Sequence, residues 1–181
     1  MTDTVRKRIE DLSLTLLLEQ RPEGEYALSF LDLRRIVLKG AAVIEKLSSY
    51  EAVSRLPVRA EGITVKNGDL NLILYDDTVT NIGRRNWTIA HEIGHVLLGH
   101  GEASHKNERE ADAFASELLM PEAVIRFLDC RKGAPITPEE MTNYFAASLT
   151  ACKRRRLNIK YGLPHSPSEK AVALITRLFK A

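Results

Sequence analysis

The sequence predicts an α+β fold, a small β-sheet packed on helices, from three observations. Apolar residues recur at helical spacing over most of the chain, residues 60–75 switch to strand texture, and a helix-periodic run carrying two histidines follows at once. The last of these, Trp87 to His100, is the element around which the rest is organised.

The bulk properties are those of an ordinary globular chain. Its 181 residues are 44% hydrophobic and 28% charged, long enough for a sizeable core. A net charge of +2 argues against holding nucleic acid by overall basicity. Cys130 and Cys152 lie far apart and outside metal-type spacing, so they read as reduced, small buried residues of a cytoplasmic protein. The apolar run Leu14–Leu18 is too short to span a bilayer and lacks the cleavage site of a signal peptide, so no membrane association is expected.

In chain order, Val5 to Glu19 places Ile9, Leu12, Leu16 and Leu17 at helical spacing, and Arg21-Pro22-Glu23-Gly24 breaks the pattern. A second helix is expected from about Phe30 to Leu47, with Leu33, Ile36, Val37, Val43, Ile44 and Leu47 in its apolar set. Together these make residues 1–59 a helical preface. Gly62 to Val65 reads as a strand and Leu70 to Tyr75 as another, with Asn67-Gly68 suited to a type I′ turn between them. A helix ending at Gly99-His100-Gly101, a polar loop from Glu102 to Lys106 and a helix from Glu108 to Met120 follow.

Within the organising helix, His91-Glu92-Ile93-Gly94-His95 places two imidazoles four residues apart, hence on one face, where both can reach one zinc ion. Glu92, turned aside from that face, suits a general base acting on water. The third ligand is open at this point. The continuation His-x-x-Gly-x-x-His does not fit, because Gly99 and His100 fall off its spacing. His100 lies on roughly the opposite side of the helix from the two ligands and reads as a helix-end residue facing the dipole.

An acidic ligand from the next helix is the other solution. Ala111, Phe114, Ala115, Leu118 and Leu119 define its inward stripe. At about 100° per residue, Glu108 lies about 50° from the centre of that stripe, Asp112 about 90° and Glu110 about 110°, with Glu117 on the outer side. Glu108 is therefore the leading ligand candidate. Asp112 is placed to orient a histidine through its second ring nitrogen, while Glu110 and Glu117 read as solvated. By type, His100, His105, Tyr75 and Asn86 all qualify as donors to an oxyanion.

The run Trp87 to Leu98, followed by Glu108-x-x-Ala111-x-x-Phe114-Ala115-x-x-Leu118-Leu119-Met120-Pro121, resembles the ImmA/IrrE family of metallo-endopeptidases. The resemblance covers about residues 60–125. It implies a zincin-like core, zinc bound by His91, His95 and Glu108, and Glu92 as the catalytic acid and base. It further implies a cytoplasmic enzyme that cuts a helix-turn-helix repressor, thereby derepressing mobile-element or stress genes. A zinc-bearing regulator that binds the repressor without cutting it would keep the same motif.

Beyond Pro121 the chain returns to helical spacing through Ala123, Val124, Phe127 and Leu128, and Thr137-Pro138-Glu139-Glu140 carries a capping threonine and an acidic first turn. Residues Met141 to Leu157 resemble the helix-turn-helix-like tail of many family members, although Ala146-Ala147 stands where a glycine-containing turn is usual. The expected division is a metallopeptidase domain at 1–130 and a helical region at 131–181. Lys153-Arg154-Arg155-Arg156 is the local cluster through which nucleic acid would bind, against the alternative of a solvated face or a docking surface for an acidic partner. Ser168 is expected to cap a last helix that packs through Ala171 to Phe179.

Overall fold

The computed structural model describes residues 1–38, 40–50, 61–67, 70–101, 104–159 and 166–180. Among these are seven α-helices and three strands: α1 (Asp3–Glu19), β1 (Ala42–Lys46), β2 (Gly62–Asn67), β3 (Leu70–Tyr75), α2 (Ile82–Leu98), α3 (His105–Leu119), α4 (Glu122–Lys132), α5 (Pro138–Tyr144), α6 (Leu149–Asn158) and α7 (Glu169–Phe179). By packing, the chain falls into two compact units, Asp32–Ala115 and the discontinuous Met1–Leu31 with Ser116–Ala181. The expected domain division at residue 130 follows chain order, whereas the compact units join the first helix to the last ones.

In the unit Asp32–Ala115 the strand order is β1-β3-β2. The central strand β3 pairs in parallel with β1, Ala42 opposite Asn71, and antiparallel with β2, Gly62 opposite Tyr75. Its Ile73, Leu74 and Tyr75 are buried, as a central strand requires. The sheet packs on α2 through β2 and β3. Asn67 ends β2, and Gly68 of the predicted turn lies outside the described residues; of the predicted loop Glu102–Lys106, Glu102 and Ala103 also lie outside them, while His105 and Lys106 already belong to α3.

The helix expected from Phe30 to Leu47 does not form. Single 3-10 turns occupy Ala27–Phe30, Leu33–Arg35 and Leu47–Ser49, and Ala42–Lys46 is strand β1. Asp32 caps the second of these turns by accepting from the Arg34 amide, and Gly40 takes φ 69° just before β1. The β-branched pair Val43-Ile44 suits a strand, and pairing with β3 outweighs a local period that fits a helix as well. Val37 and Val43, which the helical reading placed among core residues, are exposed.

The other unit is helical. α1 packs against α7, α4 against α7, and α5 against α6. Leu14, Leu17, Leu28, Val124, Leu128, Met141, Phe145, Leu174 and Leu178 form its core. Thr137 and Glu140 make a reciprocal capping box at α5, and Ser168 caps α7 by accepting from the Ala171 amide, as the sequence predicts. The α5–α6 joint is extended at Phe145, and Ser148 caps α6. No described helix is long and apolar enough to cross a membrane.

Candidate metal centre

The centre is built from α2, β2 and the part of α3 up to Ala115, all within the unit Asp32–Ala115. Asn81 opens α2 by accepting from the Arg84 amide at 2.9 Å. One side of the helix is sunk into the core through Ile89, Ala90 and Ile93, while His91, Glu92 and His95 occupy a half-buried face. A side chain at Gly94 would lie 3.1 Å from Phe114 Cβ and 3.2 Å from Ala111 Cα. The missing side chain therefore allows α3 to approach α2 closely, with Glu108 one turn before Ala111.

Three donors converge there. His91 Nε2 lies 3.0 Å from His95 Nε2 and 3.2 Å from Glu108 Oε2, and His95 Nε2 lies 3.6 Å from Glu108 Oε1. Zinc with ligands at about 2.05 Å in a tetrahedron would hold them about 3.3 Å apart, and the three observed separations bracket that value. Two imidazole nitrogens and a carboxylate make a common zinc donor set. Chemistry and spacing both fit a divalent cation of this kind.

The outer nitrogens are engaged as well. His91 Nδ1 is 2.9 Å from Asp112 Oδ1, so Nδ1–H donates to the carboxylate and Nε2 is the ring nitrogen that faces the centre. Burial opposes charge on His91, but the hydrogen bond and charge of Asp112, aided by Glu92 and Glu108, hold its pKa above the usual imidazole range. Burial and the neighbouring His91 push His95 below that range, which leaves its imidazole neutral at pH 7.

Glu92 is held by β2. Thr64 Oγ1 donates to Glu92 Oε2 at 2.6 Å, leaving Oε1 free of that bond. At Gly62 a side chain would fall 2.5 Å from Thr88 Cγ2 and 3.2 Å from Glu92 Cγ. Any larger residue there would force the Thr88 side chain to shift and crowd Glu92, so glycine suits the close approach of strand and helix. A cavity of about 540 Å³ opens over these groups, with Gly62, Ile63, Thr64 and Lys66 of β2 on one side and His91, Glu92, His95 and Glu108 on the other.

The structure brings His91, Glu92, His95, Glu108 and Asp112 together, and corrects the reading of several neighbours. Gly99 ends α2 in the left-handed region at φ 75°. The chain therefore leaves the helical wheel, and His100 turns back onto His95 instead of facing away. Glu110, expected to be solvated, is a mostly buried partner of His100. Glu117, also expected on the outer side, is buried against Arg155. Of the oxyanion donors suggested by type, Asn86 and Tyr75 are buried and His105 is exposed; His100 alone lines the cavity.

Thr64, Gly62 and the His100–Glu110 contact were missed from the sequence. Gly62 carried a weak signal, since glycine inside a strand often marks close backbone approach. Cys152 is buried, with its thiol pushed up to about 11 by burial, so it offers no thiolate, whereas Cys130 is exposed, contrary to expectation. In the basic run, Arg155 donates to Met120 O and Glu117 while Arg156 pairs with Asp129 at 2.8 Å. Lys153 and Arg154 are the exposed cations of that run.

Comparison with known proteins adds one match. A family model described as Peptidase M78, IrrE N-terminal-like domain, matches residues 52–155, more than half of the chain. No curated protein matches it.

Proposed function

The chain belongs to the IrrE N-terminal-like, or ImmA/IrrE, family of metallopeptidases, and from that premise we propose that it is a zinc-dependent endopeptidase acting in the cytoplasm. Its proposed substrate is a helix-turn-helix transcriptional repressor, whose cleavage relieves repression of mobile-element or stress-response genes. The observation that carries the reading is the convergence of His91 Nε2, His95 Nε2 and a Glu108 carboxylate beside Glu92 in an open cavity.

His91, His95 and Glu108 would hold the zinc. When bound, it supplies a Lewis acid that polarises the scissile carbonyl and lowers the pKa of a water it binds toward about 7. Glu92 Oε1 takes a proton from the attacking water while Thr64 steadies Oε2. As the C–N bond breaks, Glu92 returns that proton to the leaving amine. Strand β2, an edge of the sheet among the described residues, lines the cavity and offers main-chain groups to an extended peptide.

The test incubates the full chain with the repressor encoded beside its gene, with and without a chelator, and reads fragments by mass spectrometry. Chelator-sensitive cleavage that Glu92→Gln reduces about 10²–10⁴-fold is the expected result. An intact repressor under every metal condition overturns the proposed substrate. Derepression in cells that survives Glu92→Gln would favour the non-cleaving regulator instead.

A further inference from the structure

His100 and Glu110 have no role in the chemistry above, yet they are the best-buried titratable pair beside it. The His100 side chain is 7% exposed and that of Glu110 13%, while Glu108 and Asp112 are at least half exposed. His100 Nδ1 lies 3.0 Å from His95 Nδ1, and His100 Nε2 lies 3.3 Å from Glu110 Oε2.

The backbone builds this contact. Gly99 N–H donates to Val96 O at 3.1 Å and His100 N–H to His95 O at 3.0 Å, the paired bonds of a Schellman stop. In that motif the residue after the left-handed glycine packs on the residue five positions earlier. Here those two residues are His100 and His95, and an imidazole pair replaces the usual apolar contact.

We propose that His100 and Glu110 are positioning residues that fix the tautomer and ring orientation of His95, so that His95 presents a bare Nε2 to the cation site. The inference rests on the metal-site reading above. A carboxylate only accepts, so His100 Nε2–H donates to Glu110 Oε2. In the tautomer this sets, His100 Nδ1 accepts from His95 Nδ1–H, and the remaining His95 nitrogen, Nε2, faces His91 and Glu108. Asp112 does the same for His91 in one step. Both histidines are thereby oriented by carboxylates of α3, one directly and one through His100, as outer partners of metal-binding imidazoles commonly do.

Zinc affinity of the full chain, by competition with a chromogenic chelator, and the visible absorption of its Co²⁺ form test this. His100→Leu should weaken zinc binding about 10–100-fold and alter the Co²⁺ spectrum. His100→Asn, whose Oδ1 stands near the lost Nδ1, should restore most of the affinity. Glu110→Leu should weaken binding too, and the double variant should be no weaker than His100→Leu alone, because Glu110 acts through His100. Independent, additive losses, or wild-type affinity in His100→Leu, overturn the relay while the metal site stands. A wild-type chain that binds neither ion overturns both. If metal-free circular dichroism shows that His100→Leu does not fold, Glu110→Leu decides: a loss of about 10-fold or more supports the relay, and unchanged affinity overturns it.

Discussion

Helix α3 carries carboxylates in two different electrostatic settings. At its C-terminal end Glu117 meets the Arg155 guanidinium, and Arg155 also donates to Met120 O at 3.0 Å. A similar pair follows nearby, where buried Asp129 accepts from Arg156 at 2.8 Å and from the Ile136 amide at 2.8 Å. Nearer its N-terminus Glu108 faces two imidazole nitrogens, with further carboxylates behind the rings. In the first setting each anion has its cation, so the cluster is complete and structural. In the second, the partners of Glu108 are imidazoles, and the convergence of three donor atoms is an arrangement that suits a bound cation. Buried charge by itself says little about function; whether the cluster is already compensated says much more.

That contrast can be broken most forcefully at Arg155. Arg155→Met leaves the buried Glu117 carboxylate without its cation, though still accepting from the Glu122 amide at 3.0 Å, and should cost about 3–5 kcal/mol of stability in urea titration, with zinc affinity unchanged once folded. Adding Glu117→Leu should recover much of the loss. Glu108→Ala should behave in the opposite way. It should weaken zinc binding by more than about 100-fold, beyond what loss of an outer partner costs, while metal-free stability holds or rises. A fall in metal-free stability would mean that Glu108 is a structural partner like Glu117.

Asp112→Asn should be milder, reducing zinc affinity by about 10–100-fold through the His91 ring. The smallest effect is a pH dependence. In the metal-free chain the His91 pKa is raised above its unfolded value by Asp112. The stability this contributes is fully present below the ordinary histidine pKa of about 6.5 and disappears as pH rises through the raised value. Metal-free wild type should therefore exceed Asp112→Asn at pH 5.5 by under about 1 kcal/mol, Asp112 being more than half exposed. The two should converge by pH 8.5, as urea midpoints would report.

Much of the centre was legible because it lies on regular elements. His91 and His95 share a face through the helical repeat, and the inward stripe of α3 ranked Glu108 above the other acids. The strands β2 and β3 and the caps at Thr137 and Ser168 were legible for the same reason, since they depend on neighbours in the chain. Periodicity failed wherever another element decided the outcome. Ala42–Lys46 satisfies a helical period but pairs with β3, and Glu117 lies off the apolar stripe yet finds a guanidinium thirty-eight residues later.

His100 marks the boundary between the two kinds of information. Which residues share a helix face, and that Gly99 ends the helix, could be read along the chain because both follow from local backbone geometry. That His100 folds back onto His95, that Glu110 closes behind it and that Thr64 holds Glu92 emerged from the packed chain alone. Each of these contacts joins side chains whose separation depends on how elements pack or how a chain departs from its helix, and no repeat within one element encodes that.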